Sequence, residues 1–236
     1  RELNRSGGIG FAQLRTRRYD QLPDQDTNAL LLGIDRPIRG AFWPASASAS
    51  GSLVSLGGKV YQRQLQLQAR TMPVIAILNP LELTLSAALG RVEYISRRAF
   101  NANSAELGSM LSYRGHHTLG QLAGGALFEK GHPGRPGGDR RGGYASAQLQ
   151  RQFNGDYSGE LSWTRQDWRG ETVYSPGLID VVRRQSTRQI RAAVTRAMAP
   201  RHSLQLEWRH VRNHENISLF QYNSEVLQLN WRWSGF

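Results

Sequence analysis

Arginine dominates the side chains of this sequence that could do chemistry: 28 of its 30 basic residues are Arg, against 18 Asp and Glu, for a formal net charge of +12 over 236 residues. A guanidinium presents a planar fork of donors suited to carboxylate, sulfate or phosphate. Interleaved with the arginines are Gln and Ser, which donate and accept hydrogen bonds without a fixed charge and so suit water, hydroxylated solutes or a sliding chain. The histidines are His116, His117, His132, His202, His210 and His214. None carries the Ser-containing signature of a hydrolase, and His116-His117 lacks the carboxylate or third His of a zinc site. With no Cys in the chain, thiolate metal sites and disulfides are excluded. The Gly-rich stretch at 131–143, GHPGRPGGDRRGG, has neither the Lys-Ser/Thr of a phosphate loop nor a following helix, and reads as a mobile external loop. The basic residues are scattered over many loops without a recognised binding motif, which argues against nucleic acid as partner. The expectation is a protein that is not an enzyme, with no catalytic residue, metal or cofactor.

The elements that hold these side chains follow from their spacing. Gln62, Gln64, Gln66 and Gln68 share one parity while Leu65, Leu67 and Ala69 share the other, a period of two that defines a strand with one polar and one apolar face. The same alternation recurs in Ala45 to Ser50, Leu83 to Leu89, Ala145 to Gln152, Leu204 to Arg209 and Leu227 to Trp233. No comparably long stretch has a helical repeat, and no apolar run approaches the roughly 18–20 residues of a membrane helix. Twelve strands are expected, over 6–18, 28–38, 41–54, 59–72, 82–97, 104–116, 119–130, 142–153, 157–168, 187–198, 202–212 and 223–236. Tight turns alternate with longer loops at 19–27, 98–103, 131–141, 169–186 and 213–222, apart from a short link at Gly57-Gly58 and a long one at 73–81.

About twelve strands of about ten residues, with short turns at one end and long loops at the other, is the pattern of a transmembrane antiparallel up-and-down β-barrel of the outer-membrane type, since lipid tolerates no unpaired strand edge. A soluble β-sandwich would place bulky Val, Ile and Phe on its apolar face, whereas Leu and Ala prevail here. Tyr61, Tyr113, Tyr144, Tyr157, Phe153, Trp43, Trp163 and Trp168 fall near expected strand ends, where interfacial aromatic belts lie. The chain reads as a single barrel domain over 1–236. It starts at Arg1 without an initiator Met or leader, as a processed chain or the C-terminal part of a longer protein would.

With Leu and Ala outward, the residues expected to line a lumen are Gln62, Gln64, Gln66, Gln68, Arg70, Glu106, Arg114, Gln148, Gln150, Gln152, Gln205, Glu207, Arg209, Gln228, Asn230 and Arg232. Rings of Arg in a channel favour anions, although Arg209 with Glu207 and Arg114 with Glu106 are also candidate internal ion pairs. Arginines at loops and strand ends of the long-loop side, among them Arg97, Arg98, Arg140 and Arg141 and also Arg135, Arg183 and Arg184, are expected to face the phosphates of lipopolysaccharide in an outer leaflet.

The final strand, VLQLNWRWSGF from Val226 to Phe236, alternates and ends on an aromatic. It resembles the C-terminal signal of bacterial outer-membrane barrels, which implies that Leu229, Trp231, Trp233 and Phe236 are read by the barrel assembly machinery. Trp233 stands three residues before Phe236 instead of two, a departure that a bulge at Ser234-Gly235 would correct. The segment Asn213 to Trp233, NHENISLFQYNSEVLQLNWRW, also resembles the last hairpin of barrels that follow tetratricopeptide repeats, namely exopolysaccharide exporters and surface lipoprotein assembly modifiers. Over about thirty residues, that likeness implies export or surface assembly with a periplasmic or surface protein partner. The leading expectation is therefore an outer-membrane pore or translocation element for a polar or anionic polymer or a client protein. A passive channel for acidic oligosaccharides or small anions, and a non-conducting anchor of a surface complex, are the alternatives.

Overall fold

The computed structural model describes residues 2–3, 7–18, 20–38, 40, 42–75, 80–199 and 201–233. Thirteen strands run in chain order: β1 (Glu2–Leu3), β2 (Gly8–Arg17), β3 (Thr27–Ile38), β4 (Ala45–Leu56), β5 (Lys59–Thr71), β6 (Leu81–Tyr94), β7 (Ala102–Arg114), β8 (Thr118–Gly131), β9 (Arg140–Gln152), β10 (Tyr157–Ser175), β11 (Ile179–Ala199), β12 (His202–Glu215) and β13 (Tyr222–Trp233). Each pairs antiparallel with its sequence neighbour, giving the up-and-down order β1 through β13. The twelve long strands β2 to β13 coincide with the twelve expected from alternation. Among the described residues no pairing spans the seam between the first and last strands.

The register carries the parity of one strand into the next. Gln68 lies beside Ser48 on β4 and Ala88 on β6, and Ala88 lies beside Glu106 on β7. On the other parity, Leu122 is 60% exposed, Leu149 50%, Leu161 53% and Leu206 49%, an outward apolar face that a water-soluble sheet would cover. Buried apolar side chains are few, Ala88, Leu127, Ala193 and Ile217, whereas the most enclosed large side chain is Glu215 at 1% exposure. The interior is thus polar and the exterior apolar, which is the arrangement of a membrane barrel.

The long-loop end carries the connections 18–26, 95–101, 132–139 and 216–221, and the short-turn end those at 115–117, 153–156 and 200–201. The two exceptions in the sequence are real. β4 and β5 close through Gly57-Gly58, with φ of +54° and +78°, a two-residue turn open only to residues that tolerate the left-handed region. The segment between β5 and β6 is long although it lies on the short-turn side. One expected loop is not a loop: 169–186 is mostly strand, with β10 reaching Ser175 and β11 starting at Ile179, so a tall hairpin stands above the rim. Register shifts between Arg169 and Val173 and between Val173 and Ser175 interrupt the period of two, which hid the continuation.

Tyr144 and Trp168 are not belt residues, because both lie on the inward parity. The Tyr144 ring lies over Gly108 and Gly125, where any side chain would collide with it, and Trp168 sits beneath the Arg140 guanidinium. The stretch at 131–143 is also not free: Arg135 pairs with Glu129, the Asp139 carboxylate accepts from Gly131 N–H at 2.9 Å, and Gly137 and Asp139 carbonyls accept from the Glu171 N–H.

Candidate pore lining

All sixteen residues expected to line the lumen share the inward parity. Gln62, Gln64, Gln66, Gln68 and Arg70 lie on β5 beside Val54, Ser52, Ser50, Ser48 and Ser46 of β4. Across the barrel, Gln148 and Gln150 are flanked by Ser162 and Glu160 of β10, and Gln152 by Ser158. Glu207 lies between Ala193 and Gln228, Gln205 between Thr195 and Asn230, and Arg209 between Arg191 and Val226, with Arg232 beside Ser203. Glu106 and Arg114 lie on β7 beside Leu127 and Leu119.

The two sides of this interior differ. β4 and β5 present a rail of Ser and Gln that carries one charge, Arg70, at its short-turn end. β9 to β12 carry a charge network in which Arg191 bridges Glu160 and Glu207, its Nε 2.8 Å from the Glu207 Oε2. Arg209 donates to the other Glu207 oxygen at 2.8 Å, and Gln148 donates to Glu160 at 3.3 Å. Arg191, whose place at the inward parity of β11 is legible in the sequence, lies opposite Arg209 and is the central cation of the network. The other anticipated pair does not form: Arg114 lies eight residues along β7 from Glu106, about 27 Å at the usual rise.

Facing inward, Arg15, Arg17, Arg70, Arg114, Arg140, Arg183, Arg191, Arg209 and Arg232 of the strands and Arg135 of the loop at 132–139 stand against Asp35, Glu82, Glu106, Glu129, Glu160, Glu207 and Glu215. The first set exceeds the second by three, so most of the +12 lies outside the lumen. Arg70, Arg114 and Arg232 have no carboxylate partner among the described residues; Arg70 donates to Gln68 at 2.7 Å.

The long-loop rim is tied inward. Arg183 makes a bidentate pair with the buried Glu215, both contacts at 2.7 Å, and its guanidinium lies 4.6 Å from the Phe220 ring and 5.6 Å from Tyr174. Asn213 donates to Glu215 at 3.0 Å and to the Phe220 carbonyl at 2.8 Å, and Gln221 donates to the Glu215 carbonyl at 2.7 Å. On the neighbouring strands Glu129 holds Arg135 and Arg140, with Arg140 4.5 Å over Trp168. Arg140, Arg135 and Arg183 therefore face the interior, not lipopolysaccharide: each is drawn in by a carboxylate on or beside a neighbouring strand. Arg141 keeps the outward parity, and Arg97 and Arg98 lie in the loop between β6 and β7.

Beyond the rim, toward the short turns, the lumen holds a cavity of about 750 Å³ lined by Ser46, Gln68, Arg70, Thr84, Ser86, Glu106, Met110 and Tyr144. Of the expected assembly signal, Leu229, Trp231 and Trp233 lie on the exposed outward face, while Phe236 and the Ser234-Gly235 bulge lie outside the described residues. His210 on β12 also faces outward, 3.0 Å from Glu225 and stacked on Trp208, and His214, expected in a loop, lies on the same strand nearer the rim.

An apolar exterior and a polar, cavity-bearing interior define the class: a transmembrane up-and-down β-barrel of twelve long strands. No protein-family model matches the chain, and no curated protein matches it in sequence. Among solved structures it is similar to a KdgM porin and to a KdgM porin in complex with disordered oligogalacturonate, each with TM-score 0.45 and 10% identity over 97% of this chain and 99% of that chain.

Proposed function

We propose that the chain forms an outer-membrane pore for a polar, hydroxyl-rich or anionic oligomer. The observation that carries this reading is the cavity of about 750 Å³ flanked by the Ser and Gln rail of β4 and β5. Such a wall exchanges hydrogen bonds with a passing chain along most of its length, with Arg70 and Glu106 the charged groups at the cavity. The likeness of the last hairpin to tetratricopeptide-linked exporters supports outward movement of a polymer or client protein; helical repeats upstream of Arg1 in the parent reading frame would strengthen that direction. The unpaired Arg70, Arg114 and Arg232 favour a second reading, a passive channel for acidic oligosaccharides.

Planar-bilayer recording of the folded barrel tests the pore. Discrete openings that are blocked by a soluble acidic oligosaccharide from the short-turn side are expected. Folded protein that never opens would overturn the pore and leave a non-conducting anchor. The basic residues of the outward rim would in either case face a phosphate-rich leaflet.

A further inference from the structure

Six arginines stand on the outward face of β9 to β12 in two rows of three. Register places Arg141, Arg169 and Arg184 side by side, and Arg165, Arg188 and Arg212 side by side. Neighbours in a row are directly opposite across adjacent strands, about 5 Å apart at the backbone, an arrangement of like charges that destabilises a sheet unless anions compensate it. The compensation within the chain is small. Asp167, between the rows, pairs with Arg165 at 2.8 Å, and Glu171 borders the upper row. The Asp167 carboxylate also attracts Arg188 and borders the groove, while among the described residues Arg141, Arg169, Arg184 and Arg212 make no salt bridge. At the upper row the surface is concave, a groove of about 450 Å³ lined by Arg141, Arg169, Arg184, Ser186, His214 and Asn216.

Depth on the wall identifies the occupant. The lower row lies one pleat step beyond Trp163 and Ile190, which cap the outward apolar band of Leu161, Val194 and Leu206. The arginines therefore begin where a hydrocarbon core ends and headgroups start. The rows are four residues apart along β10 and β11, about 13 Å, farther than one phosphate reaches. We propose that this patch is a binding site for a membrane lipid whose headgroup carries at least two phosphates, one at each row, with its acyl chains lying down the apolar band. The proposal rests on the outer-membrane placement above but not on the pore.

The test uses the full folded chain in detergent, titrated with bisphosphoryl lipid A and with its monophosphoryl form and followed by native mass spectrometry. The bisphosphoryl form is expected to bind at least tenfold more tightly. The triple variants R141Q/R169Q/R184Q and R165Q/R188Q/R212Q should each lose at least tenfold, while R63Q/R91Q, outward arginines on β5 and β6, keeps wild-type binding. Heat-modifiable gel mobility reports folding; if a triple variant does not fold, R169Q and R188Q take its place with an expected loss of a few fold. Equal binding of the two lipids, full displacement by inorganic pyrophosphate, an unchanged row variant or an equal loss in R63Q/R91Q would each overturn the proposal. Conductance of the row variants should match wild type, so a silent barrel that still binds lipid refutes the pore alone.

Discussion

At the level of single residues, the chemistry of this barrel is decided by which arginines find carboxylates. Arg191 neutralises Glu160 and Glu207, the latter only 6% exposed. Removing it leaves Glu160 with only Gln148 and Glu207 with only Arg209, so R191Q should lower stability by about 1–3 kcal/mol. A shift of the urea midpoint in detergent measures this, and E160Q/R191Q should recover part of it; an unshifted midpoint would mean the network is solvated. Arg183 acts by shape as well as charge, since its fork grips both Glu215 oxygens while its plane faces Phe220. Lysine keeps the charge but not the fork or the stacking. R183K is therefore expected to speed hydrogen exchange across 216–221 while leaving the midpoints of other strands in place; unchanged exchange would show that Asn213 and Gln221 suffice.

Elements are positioned by parity and by the small residues that let neighbours close up. Gly142 on β9 shows this: a Cβ there would collide with the Asp167 carbonyl and approach Trp168 to 3.0 Å. The glycine lets β10 carry Trp168 under Arg140, so the rim network depends on it. G142A should reduce the heat-modifiable folded fraction several-fold, whereas G155A in an exposed turn with nothing within 4 Å of its Cβ should fold normally. Equal yields would show that β9 and β10 can separate without penalty. The tall β10–β11 hairpin and the inward-tied loops at 132–139 and 216–221 stand at the long-loop end, with the cavity of about 750 Å³ nearer the short turns.

For the whole molecule, the small net charge of the interior limits how selective a pore can be. Among the described residues Arg70, Arg114 and Arg232 of the expected lining have no carboxylate partner, so modest anion selectivity is expected. R70Q/R114Q/R232Q should bring the reversal potential in a salt gradient close to zero with conductance retained. A reversal potential identical to wild type would refute the lining role of these three. The remaining positive charge is divided between the long-loop rim and the short-turn end, where Arg151 and Arg196 lie; at the rim the proposed counter-ion is a phosphate-bearing lipid.

The alternation of Gln with Leu, and of Ser with Ala, determined the strands and their two faces from sequence alone, because a period of two is local and lipid outside demands it. All sixteen positions expected to line a lumen share one face for that reason. The motif NHENISLFQY was visible as a pattern, but only the fold showed Asn213, Glu215, Phe220 and Gln221 locking the rim. Arg114 and Glu106 are separated simply by eight residues of one strand, whereas Arg140 and Arg183 looked like outward anchors, and their outcome depended on strand register and on how far a strand continues past its last clear alternation. Those are cross-strand quantities. A bulge after Arg169 erased the local signal of the tallest hairpin, and the rows of arginine on β9 to β12 exist only once four separate segments are laid side by side.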